Sequence, residues 1–274
     1  MNAVIAVAGK EFRDGMRSRW VLAITVVFAL LALGIAYFGA AAGGAVGFVS
    51  LDGTIASLAS LGIFVIPLIA LLISHDAVVG EDERGTLLLL LTYPLSHGQL
   101  LLGKFLGHAG ILALSTGLGF GVAAAVIALT SDVSGVELIR AFGFFILSAT
   151  LLGWVFAAIG YMLSVAVAEK ARAAGLALLV WFFFVLVFDL GLLGVLVGTG
   201  GAVHPEVFPY LLLLNPADVF RLANLGGSEA IQGLSGVAAV ARDGFPSGVL
   251  LVVLAAWLLA PLGLAGWLFR RREV

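Results

Sequence analysis

The chain has 274 residues, of which 62% are hydrophobic and 11% charged, with a formal net charge of -2 and a mean hydropathy of +1.19. That is too little polar surface to cover a soluble particle of this size, so lipid is the expected solvent. Cysteine is absent, which removes disulfides, thiolate metal sites and cysteine nucleophiles together. No basic patch of the kind that binds nucleic acid is visible.

Lys10, Arg13, Arg17 and Arg19 precede the first long apolar run and resemble the charged flank of a signal peptide. The run is too long for one and lacks a cleavage pattern, so the segment is read as mature structure. Ile5, Ala8, Phe12 and Met16 recur at helical spacing, with Lys10, Arg13, Asp14 and Arg17 on another face. This predicts an amphipathic helix over residues 1–19, lying along the inner leaflet and turning into the membrane near Trp20.

Residues 20–274 then hold six apolar stretches long enough to cross a hydrocarbon core, near Trp20–Gly39, Ile55–Ser74, Phe105–Leu129, Leu138–Tyr161, Gly175–Leu196 and Gly248–Leu268. A span takes about 20 residues of helix, and nothing alternates as barrel strands would. The fold class is therefore an all-α integral membrane protein with six transmembrane helices. With the N-terminus inside, the inner segments carry Lys10, Arg13, Arg17, Arg19, Arg84, Lys104, Lys170, Arg172, Arg270, Arg271 and Arg272, and the outer ones only Arg140, Arg221 and Arg242. That bias predicts both termini in the cytoplasm.

The second inner segment, residues 76–104, contains an acidic cluster and a turn, Glu81, Asp82, Glu83, Arg84, Gly85 and Thr86. A leucine run too short to span follows, ending at Pro94. A short helix with a charged end is a lever that another protein could push. Gly98 to Phe105 almost matches a phosphate-binding loop, but Phe105 stands where a hydroxyl should ligate magnesium and no strand precedes it. The chain is expected to bind no ATP. His75 and Asp76, at the inner end of the second span, are candidates for a path entrance. Asp189 sits inside the fifth span, where an ionisable group suggests either a functional site facing a cavity or a structural hydrogen bond near the headgroups.

The outer segment, residues 199–247, is the longest extramembrane piece. Pro205 and Pro209 break it, and Asn215-Pro216 should cap a short helix through Asp218, Phe220 and Leu222 that ends at Gly226-Gly227. Asn215, Pro216, Asp218, Phe220 and Arg221 are the candidate contacts for an outer partner.

The run Gly85-Thr86-Leu87, the leucine string, Pro94, and Gly103-Lys104 at the head of the third span resemble the signature of ABC-2-type permeases. The resemblance covers essentially the whole chain. It implies the ABC-2 (type V) exporter permease fold and residence in the bacterial inner membrane. It also implies a homodimer above two copies of a cytoplasmic ATPase that holds the ATP and magnesium, with no cofactor on this chain. Gly80-Glu81-Asp82-Glu83, Leu90 to Leu95, Gly98-Gln99, Trp181 to Asp189 and Leu213 to Pro216 further resemble the branch of that family that serves nitrous oxide reductase maturation. That implies a periplasmic β-helical partner and export of a sulfur-containing species for a copper–sulfide centre. With no Cys, only Met1, Met16 and Met162, and four separated histidines, the chain shows no metal site and no soft-ligand copper path.

Three rivals stand beside this reading. One is a permease for a lipid-linked or hydrophobic substrate. Another is an ion-coupled carrier titrating Asp189, against which no interrupted helix or repeated half is predicted. The third is an intramembrane enzyme, for which no nucleophile or acid–base constellation is seen in the spans.

Overall fold

The computed structural model describes residues 3–17, 19–38, 48, 50–199, 208–225 and 245–272. Side-chain hydroxyls set where several helices begin. Ser50 accepts from the Gly53 N–H and opens α3 (Leu51–Ser74). Ser134 accepts from Glu137 and opens α7 (Gly135–Ala166). Ser96 and Gln99 form a reciprocal capping box that opens α6 (His97–Thr130). The third span helix thus starts eight residues before the expected Phe105, and Gly98 to Phe105 lie inside it rather than in a phosphate-binding loop.

Among the described residues, six helices are long and apolar enough to cross a membrane. They are α2 (Arg19–Phe38), α3, α6, α7, the fifth span and α12 (Ser247–Arg271). The fifth span runs as α8 (Lys170–Phe182), a π-helical turn at Phe183–Val187, and α9 (Phe188–Gly198). The three pieces run on as one helix of 29 residues, Lys170–Gly198, so the π turn widens the span without breaking it. At 1.5 Å per residue the 34 residues of α6 extend roughly 51 Å, well beyond a hydrocarbon core of about 30 Å, so its first turns project from the bilayer.

The α7 helix is the post of the bundle. It packs against α12, α3 and α6, and Phe145, Phe156 and Tyr161 on it are fully buried. A Cβ added at Gly160 would strike Ser74, so only glycine lets α3 cross α7 this closely. Indole N–H groups tie neighbours where no backbone ladder exists. Trp154 on α7 donates to Ala109 O of α6 at 2.9 Å, and Trp181 on α8 donates to Phe64 O of α3 at 2.9 Å. Only 17% of the most apolar window of the fifth span is buried, against 67% for α7, so lipid or another chain must cover it.

The first helix, α1 (Ala3–Arg17), lies along the opening turns of α6. Val7 and Glu11 sit over Gly103 and Gly107, where an added Cβ would come within 2.6 Å of Val7 Cβ and 2.5 Å of Glu11 Cβ. Small residues four apart make the groove that admits a second backbone. The face turned to α6 carries Val7, Ala8, Glu11 and Phe12, whereas Ile5 and Met16 point away and are exposed. Between α3 and α6 stand two short helices, α4 (Val79–Glu83) and α5 (Thr86–Leu91). Gly85 joins them at φ +68, a left-handed backbone that an L side chain resists. After α9 come α10 (Phe208–Leu212) and α11 (Pro216–Leu225).

Candidate functional site

The three consecutive acids of α4 each hold a different helix. Successive residues on a helix point about 100° apart, and here that fan is used in full. Glu81 accepts from Lys104 Nζ of α6 at 3.1 Å. Asp82 accepts from Arg272 Nη2, just past α12, at 2.6 Å. Glu83 accepts from the backbone N–H of Lys170, the first residue of α8, at 2.6 Å. A fourth tie comes from Ser164 on α7, whose buried hydroxyl accepts from both Val78 N and Val79 N at 3.0 Å. The segment is therefore bolted to four of the bundle's helices.

Lys104 adds α1 to this set. Its side chain is only 4% exposed and bridges Glu81 at 3.1 Å and Glu11 at 3.0 Å, one cation held between two carboxylates. A buried ammonium is tolerated only when paired in this way. Thr86 donates to the Glu81 carboxylate, and its hydroxyl also lies 3.1 Å from Glu81 O, closing the turn around Gly85. Arg84 is exposed and reaches Glu81 only at 3.8 Å. Beyond the turn, Leu87 is buried while Leu88, Leu89 and Tyr93 are exposed by 57%, 64% and 65%. This apolar face beside a charged hub has no partner within the described residues.

His75 and Asp76 line a cavity of about 440 Å³ at the same end of the bundle, between α2, α3 and α6. Lys170 Nζ sits 2.7 Å from Asp76 at its edge. Asp189 does not join them. It lies 19 residues beyond Lys170 along the fifth span, roughly 28 Å at helical rise. Asp189 instead pairs with Arg221 of α11 at 2.9 Å.

Arg221 is shared. Its other nitrogen is 2.9 Å from Asp218 Oδ1 but out of line for a hydrogen bond, so Asp189 Oδ1 and Asp218 Oδ1 are both buried without an aligned donor. Asn215 donates to Asp218 Oδ2 at 2.9 Å and to Phe184 O at 2.7 Å, a carbonyl of the π turn. Two carboxylates facing one guanidinium leave an excess negative charge out of water. Burial, together with the Asp189 carboxylate and against the pull of Arg221, pushes the Asp218 carboxyl up to about 8.

The expectation of an outer contact surface at Asn215, Pro216, Asp218, Phe220 and Arg221 is corrected here. Asn215, Asp218 and Phe220 are at most 1% exposed, Pro216 is buried and Arg221 is half-buried. Helix α11 turns inward against α3, α7 and α12, with Phe220 over Gly62. Gly226, Gly227 and Pro205 lie outside the described residues.

Sequence reasoning missed Glu11, Lys104, Ser164 and Arg272. The one available signal was Lys104, the single Lys, Arg, Asp or Glu in the 34 residues of α6. No group of three or more His, Asp or Glu that could hold a metal occurs among the described residues.

The profile of the ABC-2 family transporter protein matches residues 5–274. The chain belongs to the ABC-2 family. It is 58% identical over 276 residues to the probable ABC transporter permease protein NosY of Stutzerimonas stutzeri, covering 99% of both chains. It is 55% identical over 276 residues to the protein of the same description from Pseudomonas aeruginosa, covering 100% of both. The molecule is thus a permease subunit, a multi-pass protein of the bacterial inner membrane, and ATP hydrolysis belongs to a separate ATPase subunit. In this permease Lys104, the lysine of the near-match to a phosphate loop, is spent on Glu11 and Glu81. Phe105 packs edge-on against Tyr161 at 5.7 Å.

Proposed function

We propose that this permease exports a small sulfur-containing species across the inner membrane for assembly of the copper–sulfide centre of nitrous oxide reductase. It works as a homodimer with both termini in the cytoplasm, two ATPase copies beneath it and a β-helical protein on the periplasmic side. The observation that carries this reading is the likeness to NosY permeases over the full length of both chains.

Within it, residues 81–86 and the exposed face of α5 are the coupling element. ATPase closure moves α4, and the bonds from Glu81, Asp82 and Glu83 pass that motion to α6 with α1, to the end of α12 and to α8. A second copy covers the exposed fifth span, whose outward side chains include Phe182, Phe183 and Leu190. Asp189 and Arg221, at the far end of that span, belong to the exit side of the path. His75 and Asp76 belong to the entry side.

The test uses inside-out vesicles holding the permease with its ATPase, supplied with ATP and radiolabelled sulfide. ATP-dependent accumulation of label that requires both subunits is expected. Movement of a lipid-linked substrate with no accumulation of sulfur would replace this reading with the lipid-linked one.

A further inference from the structure

The cavity of about 440 Å³ beside His75 falls within the roughly 300–1,000 Å³ typical of small-molecule sites. Its walls include Ile24, Ile69, Leu72 and Ile111, and its polar end is made by His75, His108, Asp76 and Lys170. The charges at that end are already matched, since Lys170 and Asp76 pair at 2.7 Å. An anion would find no spare cation among the lining residues, and a cation no spare carboxylate.

The two imidazoles are held in opposite senses. His75 Nδ1 lies 3.2 Å from Leu71 O and 3.1 Å from Leu72 O. Carbonyls only accept, so Nδ1 carries the hydrogen and the neutral ring leaves its lone pair on Nε2. His108 Nδ1 lies 2.9 Å from the hydroxyl of Tyr161. Tyr161 is fully buried and its hydroxyl has no other acceptor among the described residues, so it donates to His108 Nδ1 and places the imidazole hydrogen on Nε2. One cavity is thus lined by a ring offering a lone pair and a ring offering an N–H.

We propose that this cavity binds a small neutral molecule bearing hydrogen on sulfur or oxygen, which donates to His75 Nε2 and accepts from His108 Nε2–H. The inference rests on the export reading above, for which the cavity is the cytoplasmic holding site. The coupling element reaches it through one residue, because the Lys170 that Glu83 holds by its N–H pairs with Asp76 at the cavity edge.

The test is titration of the histidine-¹⁵N-labelled permease–ATPase complex in lipid nanodiscs at neutral pH with three probes. Ethanethiol carries the S–H, ethanol the O–H, and dimethyl sulfide neither. A saturable shift of an unprotonated Nε2 resonance with ethanethiol and none with dimethyl sulfide is expected. Affinity should fall about tenfold or more in His75→Phe and His108→Phe. Leu72→Trp fills the cavity from its rim while leaving both histidines in place and must also abolish the shift, which covers the case of a histidine variant that fails to fold. An equal response to ethanol extends the ligand class to hydroxyl compounds, and no response to ethanol confines it to thiols.

Binding of dimethyl sulfide as tight as ethanethiol, or a shift that survives Leu72→Trp, overturns the inference. Loss of the ethanethiol shift in Leu72→Trp together with absent ATP-driven sulfur uptake by wild type would leave the cavity site standing and remove the export reading. Wild-type sulfur uptake by Leu72→Trp vesicles would do the reverse.

Discussion

Glu83 accepts a hydrogen bond from the backbone N–H of Lys170 at 2.6 Å, capping a helix that begins 87 residues away in the chain. Glu169, at the N-cap position of α8, makes no side-chain cap of its own, so the fifth span begins on a group lent by α4. Replacing Glu83 with Ala removes a cap, worth about 1 kcal/mol. A melting midpoint a few degrees lower should accompany a much larger fall in cargo-dependent ATPase stimulation of the reconstituted complex. Equal small losses in both would reduce Glu83 to a structural cap.

Lys104→Met should be the most damaging single change at the hub, because it takes the shared cation from two half-buried carboxylates, Glu11 and Glu81. Loss of one partner of a fully buried pair costs about 3–5 kcal/mol; with both carboxylates partly exposed the loss should be smaller, read as a clear drop in thermal stability in detergent. Adding Glu11→Gln and Glu81→Gln removes the orphaned charges and should restore most of the midpoint. Failure of that rescue would show that Lys104 acts through packing instead.

Gly107→Val should lift α1 from α6. The first added carbon already meets Glu11 Cβ at 2.5 Å and Ala8 O at 3.1 Å, and backbone cannot yield as a flexible side-chain tip can. Because the chain contains no Cys, a single cysteine at Val7, whose Cβ packs over Gly103, reports the contact cleanly. It should react slowly with a thiol reagent in the parent and readily in the Gly107→Val variant.

The six spans were legible from composition alone, since about 20 apolar residues have few other uses. The hub was not. Its pairs join residues 23, 87, 93 and 190 apart, and a single sequence carries no sign that Asp82 faces Arg272. The π turn was hidden because Phe183 to Val187 is uniformly apolar, and what accommodates it is a carbonyl partner, Asn215, 31 residues on. Helix α11 misled for a physical reason. Its mixture of Asp218, Arg221 and Asn224 with Phe220 and Leu222 reads as an interfacial surface, whereas its polar groups turn inward against the bundle. Asn224 exchanges hydrogen bonds with Ser148 of α7, and Arg221 donates to Asp189.

The Asp218 carboxyl gives a pH signature. Burial lifts it from 3.8 to about 8 in the folded protein, so the folded state holds this proton more tightly than the unfolded one. The associated stability is fully present below 3.8 and is lost as pH rises to about 8. Wild-type melting should decline across that window more steeply than that of Asp218→Asn, measured at matched ionic strength. Parallel pH profiles would show that Asp218 is ionised in the folded protein.

Lysine substitution of Glu81, Asp82 and Glu83 would break internal bonds as well as any docking, so it cannot test coupling alone. The exposed leucines can. Leu88→Asp with Leu89→Asp changes side chains 57% and 64% exposed and outside the hub. The measurement is co-purification of the ATPase subunit with this double variant, alongside the melting midpoint of the permease by itself. Loss of the ATPase with an unchanged midpoint is the predicted result; a complex recovered in normal yield with normal cargo-stimulated hydrolysis would contradict the assignment of residues 81–91 as the element that receives the ATPase stroke.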